Sequence, residues 1–386
     1  MTKLALSDFI SPRKYNLFNS ITIQSIFYIL LLCANVGLVW SLPYFPTQDG
    51  PSHIYNLVIL RDLLNGGKDW GTYFSYDLKA VPNLGFYLIA YPLLSLFSPF
   101  VAEKLFVSIF ILLLGSSVPF YISTFEKPAL PLSYFVFPVI FNFNLMMGFY
   151  SYVIAIPFLL FGISISWRIK DKSPLRRFLI LNATGLVIYC VHLIPYCLYL
   201  LSVYLIPMSR TNNFKNSLKS VVFEILVMLP AVLALISYLL TGINTDLEHT
   251  PHLYSFVHFL KLIVALPLFS MDTFSRWQIV PWIVFFFMYF LHARCTVFKK
   301  IKPHLLTGTE KYILMLTGCV VTIYLVMPAK FASGDCFNQR FPWVILLMSL
   351  PALNPAFSIA SRITSTASSL LFKSGAKPPS SPTPVL

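Results

Sequence analysis

Polar positions are too sparse along this chain to form helix faces. Instead, long apolar runs alternate with short charged connections. Stretches without a charged residue cover residues 20–43, 80–102, 105–125, 128–167, 178–209, 225–245, 277–293, 312–329 and 341–361. A helix needs about 20 apolar residues to cross the hydrocarbon core of a bilayer. Backbone groups in lipid must find partners inside their own segment, and the absence of strict period-2 alternation argues against a barrel. The runs at 128–167 and 178–209 are long enough for a hairpin of two helices each. The pattern therefore predicts an all-α polytopic membrane protein with about ten transmembrane helices. Residues 1–360 form one transmembrane domain, and residues 361–386, rich in Ser, Pro and Lys, form a disordered cytoplasmic tail. The first run is too long for the apolar part of a cleavable signal and reads as a span.

Composition strengthens this picture. Hydrophobic residues make up 57% of the 386 and charged residues only 11%, against roughly 25% charged in soluble domains. That is too little charge to cover a soluble surface and too much apolar side chain for disorder. The net charge of +14 would in a soluble protein point to nucleic acid. In a membrane protein it points to cytoplasmic loops, which collect Lys and Arg. The six cysteines have no metal-like spacing and read as small apolar residues.

The charge clusters orient the chain. Arg168, Lys170, Lys172, Arg176 and Arg177 form the densest basic group, followed by Arg210, Lys215 and Lys219, and by Lys299, Lys300 and Lys302. These should be cytoplasmic, as should both termini. The connections at 45–82, 245–252 and 330–340 should be external. A parity problem follows, because an odd number of crossings must join Pro82 to Arg168 and the apolar runs offer four helices. One must stay on one side, and the short segment 131–147 is a candidate. The segment 253–269, with His258 and Lys261, poses the same conflict.

The chemistry gathers on the predicted external face. In the first loop, Asp49-Gly50-Pro51 precedes a helix that ends at Asn65-Gly66-Gly67. Ile54, Leu57, Val58 and Leu64 give it an apolar face suited to the membrane surface. Asp49 and His53 are four residues apart and can share a site. Asp49 reads either as an acid/base carboxylate or as a helix cap. His192, in the middle of a run flanked by basic clusters, falls at an external turn. It reads as a ligand group or as a buried, hydrogen-bonded histidine. Arg340 precedes the last span, as a phosphate-binding group or as an interfacial anchor. Lys79 lies on the same side. Glu224 sits inside an apolar stretch and reads as an acid paired with, or snorkelling to, the nearby basic end.

This layout resembles the GT-C class of membrane glycosyltransferases, which includes protein O-mannosyltransferases and aminoarabinose transferases. The likeness rests on a first span, an external Asp49 just beyond it, a surface helix, and a Pro- and aromatic-rich stretch from Pro82. Ala102-Glu103-Lys104-Leu105 follows that stretch, and the Asn- and Gly-containing break from Asn142 to Tyr152 and Arg340 before the last span add to it. It covers about residues 20–355 in layout. The resemblance implies transfer of a sugar from a polyprenyl-phosphate carrier to a glycan, lipid or protein acceptor outside a bacterial inner (plasma) membrane. Asp49, with His53, would then be catalytic, and Arg340, Lys79 and His192 would bind the phosphate. Many members have two adjacent acids in the first loop, and some bind a divalent metal. Here Gln48 precedes Asp49 and the next acid is Asp62, which leaves the metal open. A transporter or flippase for a lipid-linked or anionic substrate, and a non-catalytic membrane partner, are the competing classes.

Overall fold

A computed structural model describes residues 15–67, 70–76, 81–125, 130–211, 213–242, 307–327, 336 and 338–353. Among these residues every regular element is helical. In chain order they are α1 (Tyr15–Ser41), α2 (Gly50–Leu64), α3 (Gly85–Leu96), α4 (Pro99–Phe125), α5 (Leu130–Ser133), a 3-10 helix (Tyr134–Val139) and α6 (Phe143–Met146). Then follow α7 (Tyr150–Arg168), α8 (Pro174–Val191), α9 (Leu193–Arg210), α10 (Phe214–Val227), α11 (Leu229–Gly242), α12 (Gly308–Val326), a second 3-10 helix (Asn338–Arg340), α13 (Pro342–Ser349) and a third 3-10 helix (Leu350–Leu353).

Six of the described helices are long and apolar enough to cross a membrane: α1, α4, α7, α8, α9 and α12. Helices α10 and α11 turn by 72° at Met228, and the pair counts as a seventh only if the two are taken as one broken span. The protein is thus a helical, multi-pass membrane protein. The expected total of about ten spans includes 277–293, which lies outside the described residues, as do the segment 253–269 and the tail 361–386.

Helices α4 and α7 pack side by side and run parallel. At one end Tyr150 donates to Glu103 Oε1 at 2.5 Å. At the other, Arg168 Nε donates to Thr124 Oγ1 at 3.0 Å. A chain that descends α4 and then descends α7 must come back up between them. It does so through α5, the 3-10 helix and α6, alongside α1: the Tyr134 hydroxyl donates to Gln24 O at 2.5 Å, and Phe141 meets Phe45 at 6.3 Å between rings. This corrects the expectation that 131–147 stays on one side; the segment makes the return in broken pieces. The element that stays at one end is α3, only 12 residues long. Its first turn lies level with Tyr150, since Phe86 N donates to Ser151 Oγ at 3.0 Å. Parity closes with three passages from α4 to α7.

Another boundary shifts as well. Glu103 and Lys104 read as a break between apolar runs, yet α4 continues straight through them. Both are buried, at 3% and 8% exposure. Lys104 Nζ donates to Leu42 O, just past the end of α1, where a cation satisfies carbonyls the helix leaves open.

The 178–209 run is a hairpin as expected, broken at His192. The polar groups sort to two ends. Arg168, Arg177 and Arg210, with Asp171 and Glu224, lie at one end, while Asp49, His53, His192 and Arg340 lie at the other. The large core between them is apolar and aromatic, with Phe106, Tyr121, Ile154, Tyr199 and Trp343 all fully buried.

Candidate functional site

The site end is built on one connection, residues 142–152. Asn142 is fully buried, and its side chain caps α6 by accepting from Asn144 N at 2.9 Å and Leu145 N at 3.3 Å. Gly148 then turns the chain with φ +84°, a conformation that costs little only for glycine. A Cβ on Gly148 would stand 2.7 Å from Gly50 N, so the turn is pressed against the start of α2. Two backbone bonds hold it there: Gln48 N to Met146 O at 2.9 Å and Asp49 N to Met147 O at 3.1 Å.

Asp49 is therefore fixed through its backbone, not through its side chain. It occupies the N-cap position of α2, but its carboxylate makes no capping bond. The reading of Asp49 as a helix cap fails on that point. The helix itself starts at Gly50 with Pro51 in its first turn and ends at Leu64, as the sequence implied. Its buried side is Ile54, Leu57 and Ile59 rather than the expected set, since Leu64 is exposed.

His53, one turn on, stands between the rings of Phe86, Tyr87 and Tyr150, at centroid distances of 5.7, 6.4 and 5.9 Å. Its Nδ1 is buried without a partner. Burial holds the imidazole below its ordinary pKa, against the opposing pull of Asp49, so the ring is neutral at pH 7. Beside it lies a group with no separate role in the sequence reading. The Glu103 carboxylate accepts from Tyr150, whose hydroxyl also contacts Thr47 Oγ1 at 2.9 Å. A Cβ on Gly50 would strike all three of these side chains. The signal that could have found Glu103 was an acid within apolar sequence, which is expensive in a span unless it works.

The same connection carries the second half of the site. Asn144 Nδ2 donates to Gln339 O at 3.3 Å, and the Tyr152 hydroxyl donates to Arg340 O at 2.5 Å. The Arg340 guanidinium lies 4.6 Å above the Phe149 ring and 5.6 Å from that of Tyr152. Asp49 and Arg340 are thus seated on consecutive residues, Gly148 and Phe149. Among the described residues no carboxylate pairs with Arg340, and its Nε is buried without a partner. Burial lowers its pKa, but a guanidinium stays charged.

His192 faces it. Asn83 helps fix the His192 turn: it adopts φ +73°, and its Oδ1 accepts from Leu193 N at 3.3 Å. His192 Nδ1 accepts from Ile194 N at 3.1 Å. The neutral ring must therefore carry its proton on Nε2, which lies 3.5 Å from Arg340 Nη1. Among the described residues, two donors meet with no acceptor between them. Burial, reinforced by the charge of Arg340, holds the His192 pKa well below its ordinary value. Asn144 Oδ1 and Gln339 Oε1 are also buried without partners here.

Of the predicted set, Asp49 and His53 come together, and so do His192 and Arg340. Lys79 lies outside the described residues. Among the described residues no group of three or more His, Cys, Asp or Glu side chains converges as a metal site would require. No family model, no curated protein and no solved structure matches the chain.

Proposed function

We propose that this protein is a membrane-embedded glycosyltransferase of the GT-C type, taking a sugar from a polyprenyl-phosphate carrier on the face away from the basic clusters. The carrying observation is the Arg340–His192 pair, a largely buried cation and an N–H donor that converge, among the described residues, with no acceptor between them. An anion held there would receive charge-assisted bonds from both, and a phosphate has oxygens enough to use them. A carboxylate free of structural duty stands on the adjoining residues of the same hairpin.

In the proposed reaction the acceptor hydroxyl attacks the anomeric carbon. Its proton passes to the Asp49 carboxylate, the bond from that carbon to the phosphate oxygen breaks, and the polyprenyl phosphate leaves as an anion. Asp49 orients and deprotonates the acceptor. Arg340 and His192 stabilise the charge that builds on the leaving phosphate, from a geometry already fixed before reaction. His53, neutral and packed among rings, lines the space beside Asp49. Glu103 and Tyr150 hold the head of α2.

The transporter reading asks for Glu224 near mid-membrane. Glu224 instead pairs with Arg177 at the basic end, which favours a structural role for it.

Membranes containing the protein, supplied with a panel of polyprenyl-phosphate sugars, should release free polyprenyl phosphate. With Asp49→Asn at equal membrane abundance, release should fall by about 100-fold or more. Full release by that variant would end the Asp49 mechanism.

A further inference from the structure

The other end of the molecule holds a cavity that the proposed transfer reaction does not use. It is about 450 Å³ and lies between α8, α9 and α10, walled by Lys170, Arg177, Arg210, Lys219, Phe223 and Glu224 among others. Ligand pockets commonly begin at about 300 Å³, so it is large enough for a small polar group.

Its charges are unevenly matched. Arg177 pairs with Glu224. Arg210 pairs with Asp171 at 2.7 Å, and Lys170 shares that same carboxylate at 3.6 Å. Lys219 makes no ion pair among the described residues. Four cations thus stand against two acids, one of which serves two partners. Within the wall, Arg177 Nε is buried with no hydrogen-bond partner. Glu224 Oε2 in the same wall is likewise buried without a partner, so this ion pair can complete itself, and the acceptor the cavity calls for is one that answers the excess charge of Lys170 and Lys219.

The surroundings say what that acceptor is attached to. The face of α10 around the cavity is apolar and exposed: Leu218, Val222, Phe223 and Leu226 are 42–61% exposed. Phe223 both lines the cavity and belongs to this face, one helical turn from Lys219. In a membrane protein such a face meets acyl chains. An anionic head in the cavity with its tails along α10 satisfies both surfaces at once.

We infer that the cavity between α8, α9 and α10 is a binding site for a phosphate anion carried by a membrane lipid, seated by Lys170 and Lys219. Basic pockets between spanning helices on the cytoplasmic side are suited to anionic headgroups. The site is independent of the sugar-transfer reading, because none of its residues lies at the Asp49 end.

The test uses the purified full chain in a neutral detergent, with thermal stability followed during titration by phosphatidylglycerol. Phosphatidylcholine is the neutral control, and sn-glycerol 3-phosphate is the soluble anion. Phosphatidylglycerol should raise the melting temperature and phosphatidylcholine should not. Lys170→Gln and Lys219→Gln should each raise the concentration needed by about fivefold. Lys215→Gln, which removes a charge from the same helix outside the cavity, should leave it unchanged. If sn-glycerol 3-phosphate shifts stability as well as the lipid does, the phosphate site stands and its ligand is a soluble anion. Equal shifts with both lipids, or equal weakening by Lys215→Gln, would overturn the site.

Discussion

Arg177 and Arg340 are both largely buried arginines at the ends of a helical bundle, yet their surroundings differ. Arg177 has Glu224 against it, and Arg210 nearby has Asp171. Arg340 has two aromatic rings beneath it and a histidine whose facing nitrogen carries a proton. A buried cation with its own carboxylate is balanced within the fold, whereas one facing a second donor is balanced only when an anion arrives. The difference separates a charge that holds helices together from a charge that waits for a ligand.

The sharpest break of this comparison is to neutralise one member at a time. Arg340→Gln should reduce polyprenyl phosphate release by about 100-fold and leave thermal stability close to wild type, because no carboxylate among the described residues is left behind. Glu224→Gln should do the reverse. It leaves Arg177 uncompensated, so stability should drop by about 3 kcal/mol, read by thermal unfolding in detergent, with release per folded molecule retained. If both variants lose stability equally, the two arginines play the same role and the comparison fails.

A smaller effect tests the hairpin that joins the two halves of the site. Gly148→Ala forces a side chain into a left-handed turn and against the backbone of Gly50. It should cost about 2 kcal/mol and reduce release as well, since Asp49 is placed by that contact. Ala at Gly66, also at positive φ but with open space around it, should cost less and leave release intact.

The smallest effect is in pH. His53 and His192 both have folded-state pKa values lowered by burial. Below about pH 6.5 the unfolded chain takes up protons that the folded chain refuses. Stability should therefore be full above that value and fall as the solution is acidified. The slope cannot exceed about 1.4 kcal/mol per pH unit for each histidine. His192→Asn keeps an acceptor for Ile194 N and removes one titrating group, so its profile should be flatter. An unchanged profile would show that His192 is not buried as described.

The apolar runs were enough to find the helices, and the Lys and Arg clusters were enough to separate the two ends. His192 was legible because a run with basic flanks on both sides must turn in its middle. Less legible was which segment crosses. A run of apolar residues looks the same whether it stops after 12 residues, as α3 does, or returns in three short helical pieces, as 130–146 does. Only packing against α1 and α4 distinguishes them. Glu103 was hidden for a related reason, because an acid beside a lysine reads as the edge of a span when no partner is visible. Its partner, Tyr150, is distant in sequence. The positioning of Asp49 by Met147 and Gly148 is likewise nonlocal, and no pattern around Asp49 encodes it.

The central claim, that Arg340 and His192 form a phosphate-binding site, is open to direct measurement. The full chain carrying Lys170→Gln and Lys219→Gln, so that the opposite cavity no longer competes, is titrated with polyprenyl phosphate in neutral detergent while its melting temperature is followed. A rise that disappears when Arg340→Gln is added is the predicted result. An equal rise with and without that change would contradict the account.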